Sequence, residues 1–172
     1  MKKILIITIS LFMLNLIGCS KDINEERLKQ FVIEYDDALS KGWSESDEIF
    51  DPGVTQKYVS PDALLDHYSN KRWFIYSNDI EIISIEKIPE EEYEYFGKNS
   101  YQVIYKQNVL GKIENNTIIP FSISSDDDWR QSVCVALKKG KLYVTSYRYG
   151  SCWVKEKHLP TLIKRKGLVY SE

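Results

Sequence analysis

The side chains in this sequence that could do chemistry are few and scattered. His67 and His158 are its two histidines, the residue type whose protonation changes nearest neutral pH, and so the candidates for general acid–base work. His67 follows the carboxylate of Asp66, and His158 precedes Leu159-Pro160 in a stretch that reads as loop. A lone histidine more often meets solvent or one satisfied hydrogen bond than a substrate. Asp126-Asp127-Asp128 offers oxygens to a hard cation, but lacks the alternating Asp-x-Asp-x-Asp-Gly spacing and distal Glu of a calcium loop. It reads as solvated loop, as does the acidic turn Glu90-Glu91-Glu92 with Glu94. No Cys–His cluster has zinc spacing, no glycine-rich phosphate loop is present, and no Gly-x-Ser-x-Gly elbow appears. These residues therefore point to no metal, no cofactor and no catalytic set.

The cysteines are more informative. Met1-Lys2-Lys3 is a short positive segment, and Ile4 to Ile17 is an apolar run broken by Thr8, Ser10 and Asn15 and followed by Gly18-Cys19. That is the pattern of a secretory signal peptide over residues 1–18, since about twenty apolar residues would be needed to span a membrane. With Cys19 at the cleavage position, Cys134 and Cys152 are left to pair in an oxidising compartment.

Removal of the signal leaves residues 19–172, a length suited to one domain. Without Lys2 and Lys3 the 23 basic residues fall to 21 against 25 acidic, a formal charge of −4 that argues against nucleic acid as a partner. Twelve Tyr and four Trp are far more than a disordered tail carries, so the body folds.

The elements follow from periodicity and turn chemistry. Asp22 with Glu25 reads as a capping box, and Leu28, Phe31, Val32, Tyr35, Ala38 and Leu39 repeat at helical spacing until Lys41-Gly42. Residues 43 to 59 read as an irregular connector. Ser60-Pro61-Asp62 predicts the start of a second helix running to about Asn70, with Leu64, Leu65 and Tyr68 on its buried side. From Trp73 the pattern is strands: 79–88, 100–110, a hairpin turning at Asn115-Asn116, and a clearer one, 131–138 with 141–149, turning at Lys139-Gly140. A two-residue turn there sets Leu137 opposite Leu142, Val135 opposite Val144 and Cys134 opposite Thr145. In that register Cys134 and Tyr147 share a face and a straight strand carries Cys152 far from Cys134. A bridge is expected if Gly150-Ser151 reverses the chain so that Trp153 and Val154 run back along the sheet. The tail from Trp153 reads as a short helix or extended cover.

Together these predict an α+β domain with two N-terminal helices packed on a curved antiparallel sheet. Trp43, Trp73, Trp129, Tyr147 and Trp153 are its candidate binding aromatics, because large rings with a polar edge suit a pocket or interface as well as a core.

Two resemblances add to this reading. Leu16-Ile17-Gly18-Cys19 resembles the lipobox of bacterial lipoproteins, which implies acylation of Cys19 and a protein held by lipid in a bacterial cell envelope. In that sorting pattern Ser20 implies the outer membrane, facing the periplasm, where the host has one. The element order over about residues 22–150 is similar to the cone-shaped nuclear-transport-factor-two-like fold, although the 89–99 segment is short for that fold's third helix. Members of that family are enzymes, binding modules or subunits of export machines, so the resemblance does not fix function; with no catalytic motif in the sequence, the expectation is a non-enzymatic binding or assembly module with an envelope protein or small ligand as partner. The alternatives are a pocket enzyme using His67 with a carboxylate, and a structural or surface-interference lipoprotein.

Overall fold

The computed structural model describes residues 23–46, 57–67, 73–120, 129–149 and 151–171; Cys19 with the rest of 1–22, and Asp126-Asp127-Asp128, lie outside the described residues. The amphipathic helix forms as α1, Glu25–Glu45, burying Leu28, Val32, Tyr35 and Leu39 along one stripe. Its cap is Asn24, whose side-chain oxygen accepts the Glu26 amide at 2.9 Å. The helix does not stop at Lys41-Gly42 but runs one turn further and buries Trp43. The cause lies far away in sequence: the Arg165 guanidinium donates to the carbonyls of Ser44 (2.9 Å) and Trp43 (3.2 Å), which a helix end otherwise leaves without donors.

The remaining elements are β1 (Val59–His67), β2 (Trp73–Lys87), β3 (Ser100–Glu114), β4 (Thr117–Pro120), β5 (Arg130–Lys138), β6 (Lys141–Tyr149), β7 (Ser151–Lys155) and β8 (Val169–Tyr170). A single turn of helix, α2 (Tyr93–Phe96), lies between β2 and β3, and α3 (Leu159–Lys166) between β7 and β8. The strands form one sheet in the order β1-β6-β5-β3-β2-β7, with β4 paired to β3 and β8.

The second helix expected from Ser60-Pro61-Asp62 is a strand. Among the described residues β1 pairs with β6 alone, so Pro61 sits on an edge where its missing N–H costs no ladder bond, and the register shifts between Val59 and Leu64. The hydroxyl and carboxylate that would cap a helix serve Lys138 instead, with Nζ 2.9 Å from Ser60 Oγ and 3.0 Å from both Asp62 oxygens. The helix expected over residues 60–70 is therefore absent from the described part of that stretch; the connector expected over 43–59 is helical where it is described at its two ends, Trp43 to Glu45 in α1 and Lys57-Tyr58 just before β1, with Tyr58 in the main core. The sheet is mixed as well, because β1–β6, β2–β7 and β4–β8 pair in parallel.

Both hairpins form at the expected residues, with positive φ at Asn115, Asn116, Lys139 and Gly140 as tight turns between twisted strands require. Leu137 faces Leu142 and Val135 faces Val144 as expected, but Cys134 faces Ser146 rather than Thr145. Thr145 is the extra residue of a bulge, its hydroxyl 3.4 Å from the Cys134 carbonyl. The bulge moves Tyr147 off the Cys134 register and opposite Val133.

Tyr149 ends β6 and Ser151 begins β7, at nearly opposite ends of the strand order, with only residue 150 between them. Two Cα steps of about 3.8 Å bound that gap, so the sheet curls until its flanks meet at this end. The expected Cys134–Cys152 bridge is not formed, for the same reason. After β6 the chain crosses to the far edge instead of folding back on β5, and Cys152 pairs with Phe74 while Cys134 sits between Gln102 and Ser146. β3 and β2 separate the two cysteines.

α1 lies in the concavity of the curl, and its stripe meets Ile75, Val103, Tyr105, Val133, Val135, Val144 and Trp153 in the main core. A smaller core on the other side of β2 and β7 joins Tyr76 and Val154 to Leu159 and Leu162 of α3. Gly111 is required there: a Cβ would lie 2.5 Å from the Ile119 carbonyl and closer still to the Tyr76 ring.

Candidate functional site

The concave side holds a charge cluster that neither histidine announces. Asp36, on the buried stripe of α1, is fully buried, and Lys155 at the end of β7 is 2% exposed. Lys155 Nζ lies 3.0 Å from Asp36 Oδ2 and 3.1 Å from Asp79 Oδ1, with Asp37 Oδ1 at 3.8 Å. The Trp153 indole N–H donates to Asp36 Oδ1 at 2.9 Å, and the Lys155 amide donates to Ser40 Oγ at 2.7 Å. The parallel pairing of β7 with β2 makes this possible: alternation puts Trp153 and Lys155, like their partners Ile75 and Ser77, on the face toward α1.

Burial pushes the Asp36 carboxyl above its ordinary value, although Lys155 and the Trp153 N–H pull it down. Burial also opposes the Lys155 ammonium, but attraction to Asp36 and hydrogen bonds to Asp36 and Asp79 outweigh it, so its pKa is raised. A lysine acts as base or nucleophile only after losing its proton; this one is held protonated among three carboxylates. The cluster is built to fix β7 onto α1.

Polar groups continue across the sheet. Ser77 pairs with Lys155 on one side and Val109 on the other, and Tyr105 and Gln107 alternate along β3 on the same face. The Ser77 hydroxyl, the Tyr105 hydroxyl and the side-chain amide of Gln107 are buried with no hydrogen-bond partner among the described residues, whereas the Gln107 backbone N–H is bonded. Burial first, then the charge of Asp36 and the neighbouring Tyr35, hold the Tyr105 phenol well above its ordinary value, so it stays neutral.

His158 meets a carboxylate, but on the rim: its Nε2 is 3.1 Å from Asp37 Oδ1, which Lys157 also approaches at 2.5 Å. Burial raises the Asp37 pKa, yet hydrogen bonds from Lys157 and His158 and the charge of Lys155 hold it below its ordinary value. That pairing ties the segment after β7 to α1. His67 closes β1 opposite Tyr149.

Of the five candidate aromatics, two are core residues rather than an accessible face. Trp153 is 1% exposed and Trp43 7%. Trp129 is half-buried against the main core, its carbonyl accepting the Gln107 amide at 3.0 Å. Trp73 opens β2 opposite Ser151, and Tyr147 pairs with Val133 and Leu65.

Clefts lie beside this interior among the described residues. One, of about 320 Å³ on the outer face, is lined by Gln102, Ser132, Cys134 and Ser146 with Phe96 of α2. Another, of about 370 Å³, lies beside the first turns of α1 and is lined by Phe31, Tyr58 and Leu142 with Arg27, Lys57 and Lys141. Neither contains a histidine. Among the described residues no group of His, Cys, Asp and Glu could hold a metal ion, and no helix is long and apolar enough to cross a membrane.

No family model matches this sequence, and no curated protein matches it. Among solved structures, a de novo designed NTF2-fold protein, NT-9, is similar at 11% identity over 84% of this chain and 96% of that one, with a TM-score of 0.37. That likeness is too distant to carry a statement about fold or function.

Sequence reasoning missed Asp36 and Lys155. A signal existed for the first: Asp36 follows Leu28 and Val32 at helical spacing and so falls on the apolar stripe.

Proposed function

We propose that this chain is a lipid-anchored lipoprotein of a bacterial envelope, and that its body is a non-enzymatic binding or assembly module with a nuclear-transport-factor-two-like arrangement of helix and curled sheet. The anchor rests on Leu16-Ile17-Gly18-Cys19. The observation that favours a module over a pocket enzyme is the filling of the concave side. Tyr35, Tyr105 and Trp153 are fully buried where a cone-shaped enzyme needs an open chamber, and the charges there neutralise one another. Binding then falls to clefts such as the one on the outer face and the one at the mouth of the main core beside the first turns of α1.

Two experiments test the reading. Metabolic labelling with a fatty acid should mark the wild type and leave Cys19→Ser unlabelled; equal label would remove the anchor. Cross-linking followed by purification of the intact protein in mild detergent should recover an envelope protein in stoichiometric amount. Turnover of a small substrate that His67→Ala abolishes would instead make it an enzyme.

A further inference from the structure

The cleft beside the first turns of α1 differs in character from the rest of this acidic protein. Its floor is apolar, with Phe31, Tyr58 and Leu142, and the Phe31 and Tyr58 rings are 5.8 Å apart. Its rim carries Arg27, Lys57 and Lys141 against Glu34, which Gln30 engages at 3.0 Å. The Arg27 guanidinium donates to the carbonyl of Gly140 at 2.9 Å and so fixes the β5–β6 turn, which carries the exposed Lys139, against the first turn of α1. The acids of that first turn do not cancel the basic rim: Glu25 is paired with Lys29 at 2.9 Å, which leaves Glu26.

Chain length decides what this face meets. Only Ser20, Lys21 and Asp22 separate Cys19 from Ile23, a reach of at most about 14 Å. We infer that, in the lipid-anchored protein, the Arg27–Lys57–Lys141 face docks on the bilayer that holds the anchor and engages the phosphate headgroups of anionic phospholipids. This rests on the lipoprotein reading above. An apolar floor ringed by cations is the chemistry that takes a phosphate with the glycerol and first acyl carbons behind it, and each basic residue at an anionic surface adds attraction within a Debye length. The acidic turn Glu90-Glu91-Glu92 belongs to the β2–β3 connection at the same end of the sheet, where the Asn99 carbonyl accepts the Leu137 amide at 3.0 Å, but its Glu92 lines the cleft on the outer face rather than this one. α1 is 21 residues and about 30 Å long, which carries Lys164 on α3, packed near the far end, clear of the surface.

The test uses the intact lipidated protein in phosphatidylcholine vesicles with or without phosphatidylglycerol, reading lysine acetylation residue by residue. Lys57, Lys139 and Lys141 should react about fivefold more slowly in the anionic vesicles. Lys164 should be unchanged, and high salt should remove the difference. In Lys57→Glu/Lys141→Glu, two exposed positions, protection of Lys139 should vanish. Equal reactivity at Lys57 and Lys141 in both vesicle types would overturn the docking face. So would equal protection by free glycerol phosphate in phosphatidylcholine vesicles, which would make this a soluble-anion site. Failure to attach to either vesicle would sink the anchor itself, a different outcome from attachment without lipid-dependent protection.

Discussion

Two lysine–carboxylate contacts of nearly the same length sit at opposite extremes of environment. Lys155 and Asp36 meet at 3.0 Å with side chains 2% and 0% exposed, while Lys138 and Asp62 meet at 3.0 Å with side chains 37% and 75% exposed. In the first, both side chains are buried: the Trp153 N–H serves Asp36 Oδ1, the Lys155 ammonium reaches out to Asp79, and Asp36 Oδ2 depends on the ammonium charge alone. In the second, water already solvates both partners, and the Ser60 hydroxyl adds a local bond to Asp62. Contact length says little about what either pair does; burial decides it. The buried pair ties the end of the chain to α1, whereas the exposed pair holds an edge strand.

Breaking the buried pair should have the largest effect. Lys155→Met leaves the Asp36 carboxylate buried without its cation and should cost about 3–5 kcal/mol in urea unfolding. A loss below about 1 kcal/mol would mean that water reaches Asp36. Asp36→Leu combined with Lys155→Met should restore most of that loss, because replacing a whole buried pair by packed apolar groups is often neutral or better. Tyr105→Phe removes a buried hydroxyl without a described partner, so it should raise stability by up to about 1 kcal/mol, where deletion of a satisfied group would lower it.

The two pairs should also separate by pH. Lys155 is raised in the folded state, so its contribution is complete below the unfolded value near 10.5 and is lost as pH climbs through the higher folded value. Asp62 is held down to about 2 by the Ser60 hydroxyl and Lys138, so its contribution is present above 3.8 and fades as pH falls toward 2. Urea midpoints should therefore fall more steeply above about pH 10.5 in the wild type than in the Asp36→Leu/Lys155→Met protein, where the buried Tyr105 phenol still contributes a fall. Smallest of all, Lys138→Ala should cost less than about 1 kcal/mol and flatten only the acid limb; a larger cost would show that β1 depends on this contact.

What the sequence made legible follows the same division between local and distant causes. α1 could be read because its stripe is local, and the turns at Asn115-Asn116 and Lys139-Gly140 because positive φ restricts the residue types there. Ser60-Pro61-Asp62 misled because its helix-starting chemistry is also what an edge strand uses to hold a lysine 76 residues away. The overrun of α1 past Gly42 depends on Arg165, again a partner distant in sequence. Lys155 could not be found at all: a five-residue strand offers almost no alternation to read, and its lysine looks like any surface charge until β2 is laid beside it.

Two of the three parallel pairings also set the order of assembly. β1 must find β6, and β2 must find β7, each across about eighty residues of chain, and contacts of that separation close late because they bear the full entropy of loop closure. A chain delivered amino end first exposes α1 long before Trp153 and Lys155 exist to cover it. The carboxyl-terminal segment is the clasp, and a protein cut after Tyr149 should lose the native state as a whole rather than fray at its end.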